Sequence, residues 1–408
     1  MKSKRNYPIF TVTEKAEASL RNGHPWVYGE EVVSRSGEYE NGSLADVVSL
    51  KGAYLGTGLI SEKSKILVRI ISTNGNDTFD EEFWKRRLKY AFDYRLTVMG
   101  EEDFNCCRLI FGEADGFPGL TLDFFNGILV SEVLSYGIDR IKHIIYKNAS
   151  GLLDLMGYPV KGIYERNDSS LRENEGLTQY KGWYEGIPHQ PETYTHIVEN
   201  GIKYLVDFEN GQKTGFFLDQ KYNRLAVSRL CKGKTVLDCC THTGSFALNA
   251  VKGGAVKVTA CDISQLALDC ARQNAILNGM EDKMEFVCED IFDLLPSLYE
   301  QKKRIFDVII LDPPAFTKSR KTILSASHGY REINYRAMKL LKRGGYLATA
   351  SCSHFMEDKL FVKNIASAAA EAGVQLRQIE ARTQGPDHPI LWGVPETNYL
   401  KFYIFQVI

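Results

Sequence analysis

The sequence has almost no net charge: among its 408 residues, 50 Lys and Arg face 51 Asp and Glu, giving -1. That excludes a histone-like protein held to nucleic acid by bulk charge, and leaves room for a local basic face. No apolar run approaches the roughly 20 residues needed to cross a bilayer. The basic start MKSKRNYPIF has no apolar stretch behind it, so no secretory signal is expected. The nine cysteines are odd in number, and no two stand at C-x-x-C spacing. A disulfide framework and a zinc site are therefore not expected, no metal is called for, and a cytoplasmic, reducing location fits. There is no internal repeat and no low-complexity tract.

What is present changes character along the chain. At roughly 100–200 residues per domain, the length predicts two or three domains. Residues 1–75 hold short apolar runs, ADVVSL, YLGTGLIS and KILVRII, separated or interrupted by glycines at 42, 52, 56 and 58, and read as a small β-rich module. Residues 76–200 read as an α+β domain. There FWKRRLKYAFDYRL sets Phe83, Leu88, Ala91 and Leu96 among basic residues as an amphipathic helix. A hairpin follows with Asn126-Gly127 at its turn, then a helix near 137–156 and a strand near 159–165. In residues 201–408 seven short apolar strands are predicted, at 235–240, 257–262, 284–288, 306–311, 346–351, 375–381 and 402–408. Helices between the first six imply right-handed βαβ units: an α/β, doubly wound, Rossmann-like seven-stranded sheet. One helix should bury Leu266, Cys270, Ala271 and Leu277. Another should bury Ile333, Ala337, Leu340 and Leu341, with Gly344 as its C-cap. The last strand follows its predecessor without a helix and is expected to run antiparallel.

In such a sheet, ligands sit beyond the carboxyl ends of the strands. The first strand leads into Asp238-Cys239-Cys240-Thr241-His242-Thr243-Gly244, a turn of small residues that is not G-x-G-x-x-G and disfavours a pyrophosphate. Asp262 ends the second strand, placed to accept ribose hydroxyls. Asp290 follows the third, beside an apolar Ile291 suited to adenine. An adenosine held without phosphates implies S-adenosylmethionine. The fourth strand ends in Asp312-Pro313-Pro314-Ala315-Phe316, a rigid exit. The fifth ends in Ser351-Cys352-Ser353, where Cys352 is a candidate nucleophile. Cys239, Cys240 and Cys261 read as packing.

Together these residues resemble the class I S-adenosylmethionine-dependent methyltransferases. Three further segments narrow the likeness. Gly23-His24-Pro25-Trp26-Val27-Tyr28 looks like the opening of a PUA RNA-binding domain. The run from Phe111 to Leu120, FGEADGFPGL, resembles the middle domain of the bacterial 23S rRNA cytosine-C5 methyltransferases. Thr214–Arg224, TGFFLDQKYNR, is similar to their motif ahead of the sheet. The resemblance implies a PUA-like RNA-binding domain at 1–75, a middle domain at 76–200 and a methyltransferase domain at 201–408. It also implies cofactor contacts from Phe217, Gln220 and Arg224, joined by Asp238, Thr243, Gly244, Asp262, Asp290 and Asp312.

Cytosine C5 is a poor nucleophile until a thiolate adds at C6. Cys352 is assigned that role, and Asp312 would hold the N3 and N4 edge of the base. The family's two-cysteine relatives place a second cysteine after the proline of an Asp-x-Pro motif; here Pro314 and Ala315 stand there. The base that removes the C5 proton stays open, with His354 and His388 candidates by residue type alone. Between Gln301 and Arg343, 11 Lys and Arg face three acids. Lys318, Arg320, Lys321, Arg331 and Arg336 are the expected phosphate contacts, and Trp26 a stacking contact. The alternatives are an exocyclic-amine or guanine RNA methyltransferase, a non-catalytic RNA-binding assembly factor and, least favoured, a nicotinamide dehydrogenase. The oligomeric state is open, a homodimer included.

Overall fold

The computed structural model describes residues 6–301, 305–317 and 319–408. It divides into two compact units. The first takes in the chain up to Ile197 with Val206–Leu218 and Pro386–Thr397. The second is Val198–Leu205, Asp219–Gly385 and Asn398–Ile408.

The first unit carries two sheets. In the six-stranded one the order is Trp26–Tyr28, Ile66–Ser72, Tyr54–Ile60, Leu44–Ser49, Ile9–Val12 and Val32–Ser36. Gly56 and Gly58 lie inside a strand rather than ending one. A side chain at Gly58 would put its Cβ 2.4 Å from the Arg69 carbonyl oxygen, so the neighbouring strand can approach only a glycine there. The five-stranded sheet runs Tyr180–Trp183, Gly162–Asn167, Ile128–Val133, Leu120–Phe125 and Cys106–Phe111. Its expected hairpin is present, with Phe125 paired to Ile128 and positive φ at Asn126 and Gly127. Leu59 and Ile71 of the first sheet pack into the same core as Phe83, Leu88 and Phe92 of helix Glu81–Met99. That shared core places the β-rich module and the α+β region in one unit.

The second unit is built on seven strands: β1 (Thr235–Cys239), β2 (Lys257–Asp262), β3 (Met284–Cys288), β4 (Phe306–Leu311), β5 (Leu341–Ser351), β6 (Leu376–Arg382) and β7 (Lys401–Val407). Helices α1 (Ser245–Lys252), α2 (Gln265–Leu277), α3 (Ile291–Glu300), α4 (Ile323–Leu340) and α5 (Asp358–Ala372) alternate with the first six. The spatial order is β3-β2-β1-β4-β5-β7-β6, and β7 is antiparallel to both its neighbours, as its missing helix required. Val308, Ile309, Ile310 and Leu311 are all fully buried, because helices cover both faces of a parallel sheet.

Two helix readings are corrected. In α2, Leu266 and Leu277 are exposed; Leu268, Ala271, Asn274 and Ala275 form the buried face. Asn274 turns inward because its amide serves the Leu205 N–H and the Thr243 carbonyl, and that polar anchor rotates the apolar stripe. Helix α4 stops at Leu340, not Gly344, because Leu341 already pairs with Phe306. Gly344, at φ +80°, sits where the β4–β5 register shifts.

Candidate active site

The chain leaves β1 in one direction across the sheet and β4 in the other. The crevice between their carboxyl ends is where a doubly wound sheet receives ligands. Cys239 pairs with Leu311, and Leu311 with Thr349. Asp238 on β1, Asp312 after β4 and Cys352 after β5 therefore occupy the carboxyl ends of three adjacent strands.

The turn after β1 is tightly wound. Cys240, His242 and Gly244 all have left-handed backbone, with φ of 61°, 51° and 79°. Such conformations cost non-glycine residues about 1–2 kcal/mol and concentrate at working sites. Asp262 pins the turn: its Oδ2 accepts the His242 N–H at 2.9 Å, and its Oδ1 the Ser264 N–H at 3.0 Å. Asp238 is fully buried and accepts from Thr241 Oγ1 at 2.6 Å and the Ala247 N–H at 3.0 Å. Asp290 caps α3 through the Phe292 N–H.

Asp312 accepts from Gln220 Nε2 at 3.0 Å, and Gln220 Oε1 in turn accepts from Asn223. The structure thus sets Gln220 against Asp312 as an orienting partner. Arg224 is 2% exposed and pairs with Glu199 at 2.6 Å, so it braces the helix Lys221–Ser228 from within the unit. Phe217 falls in Val206–Leu218, the part of the motif that belongs to the first unit.

Burial dominates the electrostatics. It pushes Asp238 up to about 7, with help from the nearby Asp312 and Asp262 charges. It pushes Asp312 up to about 7 as well, Asp219 adding to the effect while Arg224 and Gln220 oppose it. Asp219, missed in the sequence, has one oxygen bonded to the Tyr399 hydroxyl at 2.6 Å. Its other oxygen, Asp238 Oδ1 and Thr243 Oγ1 are buried without a hydrogen-bond partner among the described residues. Unsatisfied buried acceptors are costly and mark where a polar, cationic guest would be held. S-adenosylmethionine, with its ammonium, sulfonium and ribose hydroxyls, fits that set. Asp219 would have been legible as the acid beside Gln220 in the Thr214–Arg224 motif.

Cys352 is half-buried, whereas Cys239 and Cys261 are fully so. Burial pushes Cys261 up to about 12, in line with a packing role. His354 is exposed, and His388 is buried against Asp387 at 2.9 Å in the first unit. Arg320, Lys321 and Arg331 are exposed, and Arg336 is tied to Glu332 at 2.7 Å. Lys318 lies outside the described residues. In the first unit the Trp26 indole N–H donates to Glu113 at 3.0 Å, with His24 and Tyr28 edge-on to the ring.

Strand order, the glycine turn, acidic strand ends and unsatisfied acceptors together define a doubly wound α/β protein with a polar, acidic site at its switch point. Residues 178–396 match the S-adenosylmethionine-dependent methyltransferase family and residues 10–73 a PUA-like domain. The chain belongs to the S-adenosylmethionine-dependent methyltransferases, and S-adenosylmethionine is its cofactor. It is 41% identical to the ribosomal RNA large subunit methyltransferase I of Aeromonas salmonicida, over 94% of this chain and 96% of that one. Among solved structures, it matches a chain from Streptococcus mutans described as a SAM-dependent methyltransferase, with TM-score 0.80, 21% identity and 98% and 100% coverage. A methyltransferase complexed with S-adenosylhomocysteine matches with TM-score 0.82, also at 21% identity and 98% and 100% coverage. These two likenesses speak to the fold.

Proposed function

We propose that the protein methylates C5 of a cytosine in large-subunit (23S) ribosomal RNA, through a covalent adduct at Cys352. The observation that carries this reading is a half-buried Cys352 one residue past β5, on the strand adjacent to the one that ends in Asp312. The class of RNA is the one that the Aeromonas salmonicida relative is named for.

S-adenosylmethionine, when bound, supplies an electrophilic methyl group on a sulfonium. The chain's own part begins at Cys352, whose thiolate adds to C6 and leaves C5 an enamine carbon. Asp312, held by Gln220, accepts from the exocyclic amine or, when protonated, donates to N3; with a pKa near 7 it serves either way. After C5 has taken the methyl, loss of its proton to a base lets the C6–S bond break and restores the thiolate. His354 and His388 stay candidates for that base by residue type.

The cofactor residues in this reading are Asp238, Thr243, Gly244, Asp262 and Asp290, with Asp312 at the β4 exit and Gln220 and Arg224 from the motif ahead of the sheet, all in the second unit. Arg320, Lys321 and Arg331 engage phosphates, and the PUA-like domain adds RNA surface around Trp26. The PUA-like, middle and methyltransferase regions are read as 1–75, 76–200 and 201–408, with Val206–Leu218 and Pro386–Thr397 of the last belonging to the first compact unit. An rRNA substrate places the reaction in the cytoplasm.

The test is nucleoside mass spectrometry of ribosomal RNA from a strain lacking the protein. Loss of one 5-methylcytidine, restored by the parent gene and not by Cys352→Ala, is expected. Loss of a methylated purine would instead favour amine or guanine methylation, and no change would favour a non-catalytic role.

A further inference from the structure

Lys401 opens β7, with its backbone paired to Ser351 of β5. It is the residue type least expected inside a sheet, yet it is 8% exposed. A buried ammonium is costly unless hydrogen bonds and charge repay its lost hydration. Here Nζ donates to the Ser353 carbonyl at 2.7 Å and to the Tyr399 carbonyl at 2.9 Å. The Ser353 carbonyl is one residue beyond Cys352. One buried phenol also joins both serines that flank the cysteine. Ser351 Oγ donates to the Tyr330 hydroxyl at 2.9 Å, which lies 3.0 Å from Ser353 Oγ. The Cys352 turn is therefore held by both an ammonium from β7 and a phenol from α4.

We propose that Lys401 is a positioning residue for Cys352: its buried ammonium anchors the Cys352–Ser353 backbone and stabilises the thiolate that attacks the pyrimidine. The inference rests on the covalent reading above. The titratable groups against Lys401 are Cys352 and Asp358, the latter also accepting from the Tyr403 hydroxyl at 2.6 Å, and Tyr330 lies beyond the cysteine. Burial brings Lys401 down to about 8, while Cys352 and Asp358 pull it the other way. A cation so placed lowers the free energy of a neighbouring thiolate. Its two backbone carbonyl partners argue for an anchor rather than for the base that removes the C5 proton.

The test is the pH dependence of Cys352 alkylation by iodoacetamide in the full chain, resolved by peptide mass spectrometry because eight other cysteines are present. In the parent, the half-point of alkylation should fall below the ordinary cysteine value of about 8.5. Lys401→Met should raise it by about one unit, making alkylation at pH 7 about tenfold slower, while Lys401→Arg keeps the parent profile and most of the methylation. S-adenosylhomocysteine binding and thermal melting report whether each variant is folded. A parent half-point at or above 8.5, or a folded Lys401→Met variant with the parent profile, overturns the proposal. Loss of methylation in Lys401→Arg with an unchanged alkylation profile would make Lys401 the proton acceptor instead. If Cys352→Ala still methylates while the alkylation profile follows Lys401, the covalent mechanism fails and the electrostatic coupling stands.

Discussion

Gly244 has two reasons to be glycine. Its φ is +79°, and a Cβ there would lie 3.0 Å from the Ala271 Cβ on α2. Gly244→Ala is expected to lower stability by about 1–2 kcal/mol from the backbone alone, with a further loss of S-adenosylmethionine affinity as the turn shifts. Urea unfolding of the ligand-free protein and calorimetric titration check the two separately; unchanged values in both would refute this reading of the turn. Gly244 was legible because a small-residue turn after a first parallel strand is a local pattern. The left-handed Cys240 and His242 were not, since neither position carries a glycine to mark it; the Asp262 carboxylate on another strand pins the turn.

Among the elements, the central strands β1, β4 and β5 could be read from apolar runs because a parallel sheet buried on both faces leaves little else in them. In the first unit, the strands Trp26–Tyr28 and Val32–Ser36 escaped. One is three residues long, and the other has an exposed face that weakens the alternation. The α2 face was misread because an inward asparagine carries no hydrophobic signal. The helix Lys221–Ser228 depends on another long-range feature, the Arg224–Glu199 pair, which joins residues 25 positions apart. Removing one partner of a buried pair typically costs about 3–5 kcal/mol. Arg224→Met should therefore destabilise the protein by roughly that amount and weaken cofactor binding, and adding Glu199→Gln should recover part of the stability. A double-mutant cycle by urea unfolding measures the coupling; additive effects would contradict it.

For the whole molecule, a net charge of -1 conceals an interior that stores acid. Asp238 and Asp312 rise from the usual 3.8 to about 7. Between pH 4 and 7 the folded, ligand-free protein thus holds protons that the unfolded chain has released. The stability these groups contribute is full below about pH 4 and is lost as pH rises to about 7. A cationic cofactor prefers the ionised carboxylates, so S-adenosylmethionine should bind more tightly as pH rises through 7, with proton release. Calorimetry in buffers of different ionisation enthalpy measures that release, and Asp312→Asn should reduce it. Affinity independent of pH between 6 and 8 would contradict the assignment. The map of acidic strand ends was legible in the sequence, but their protonation came only with burial and mutual proximity in the fold.

The most direct measurement incubates the purified protein and S-adenosylmethionine with a 23S rRNA transcript containing 5-fluorocytidine. Fluorine cannot leave C5 as a proton does, so the adduct should persist. The account predicts a protein–RNA species stable to denaturation whose cross-linked peptide contains Cys352, absent from Cys352→Ala. Methylation of the unfluorinated transcript without any such species, or a cross-link at another residue, would contradict it.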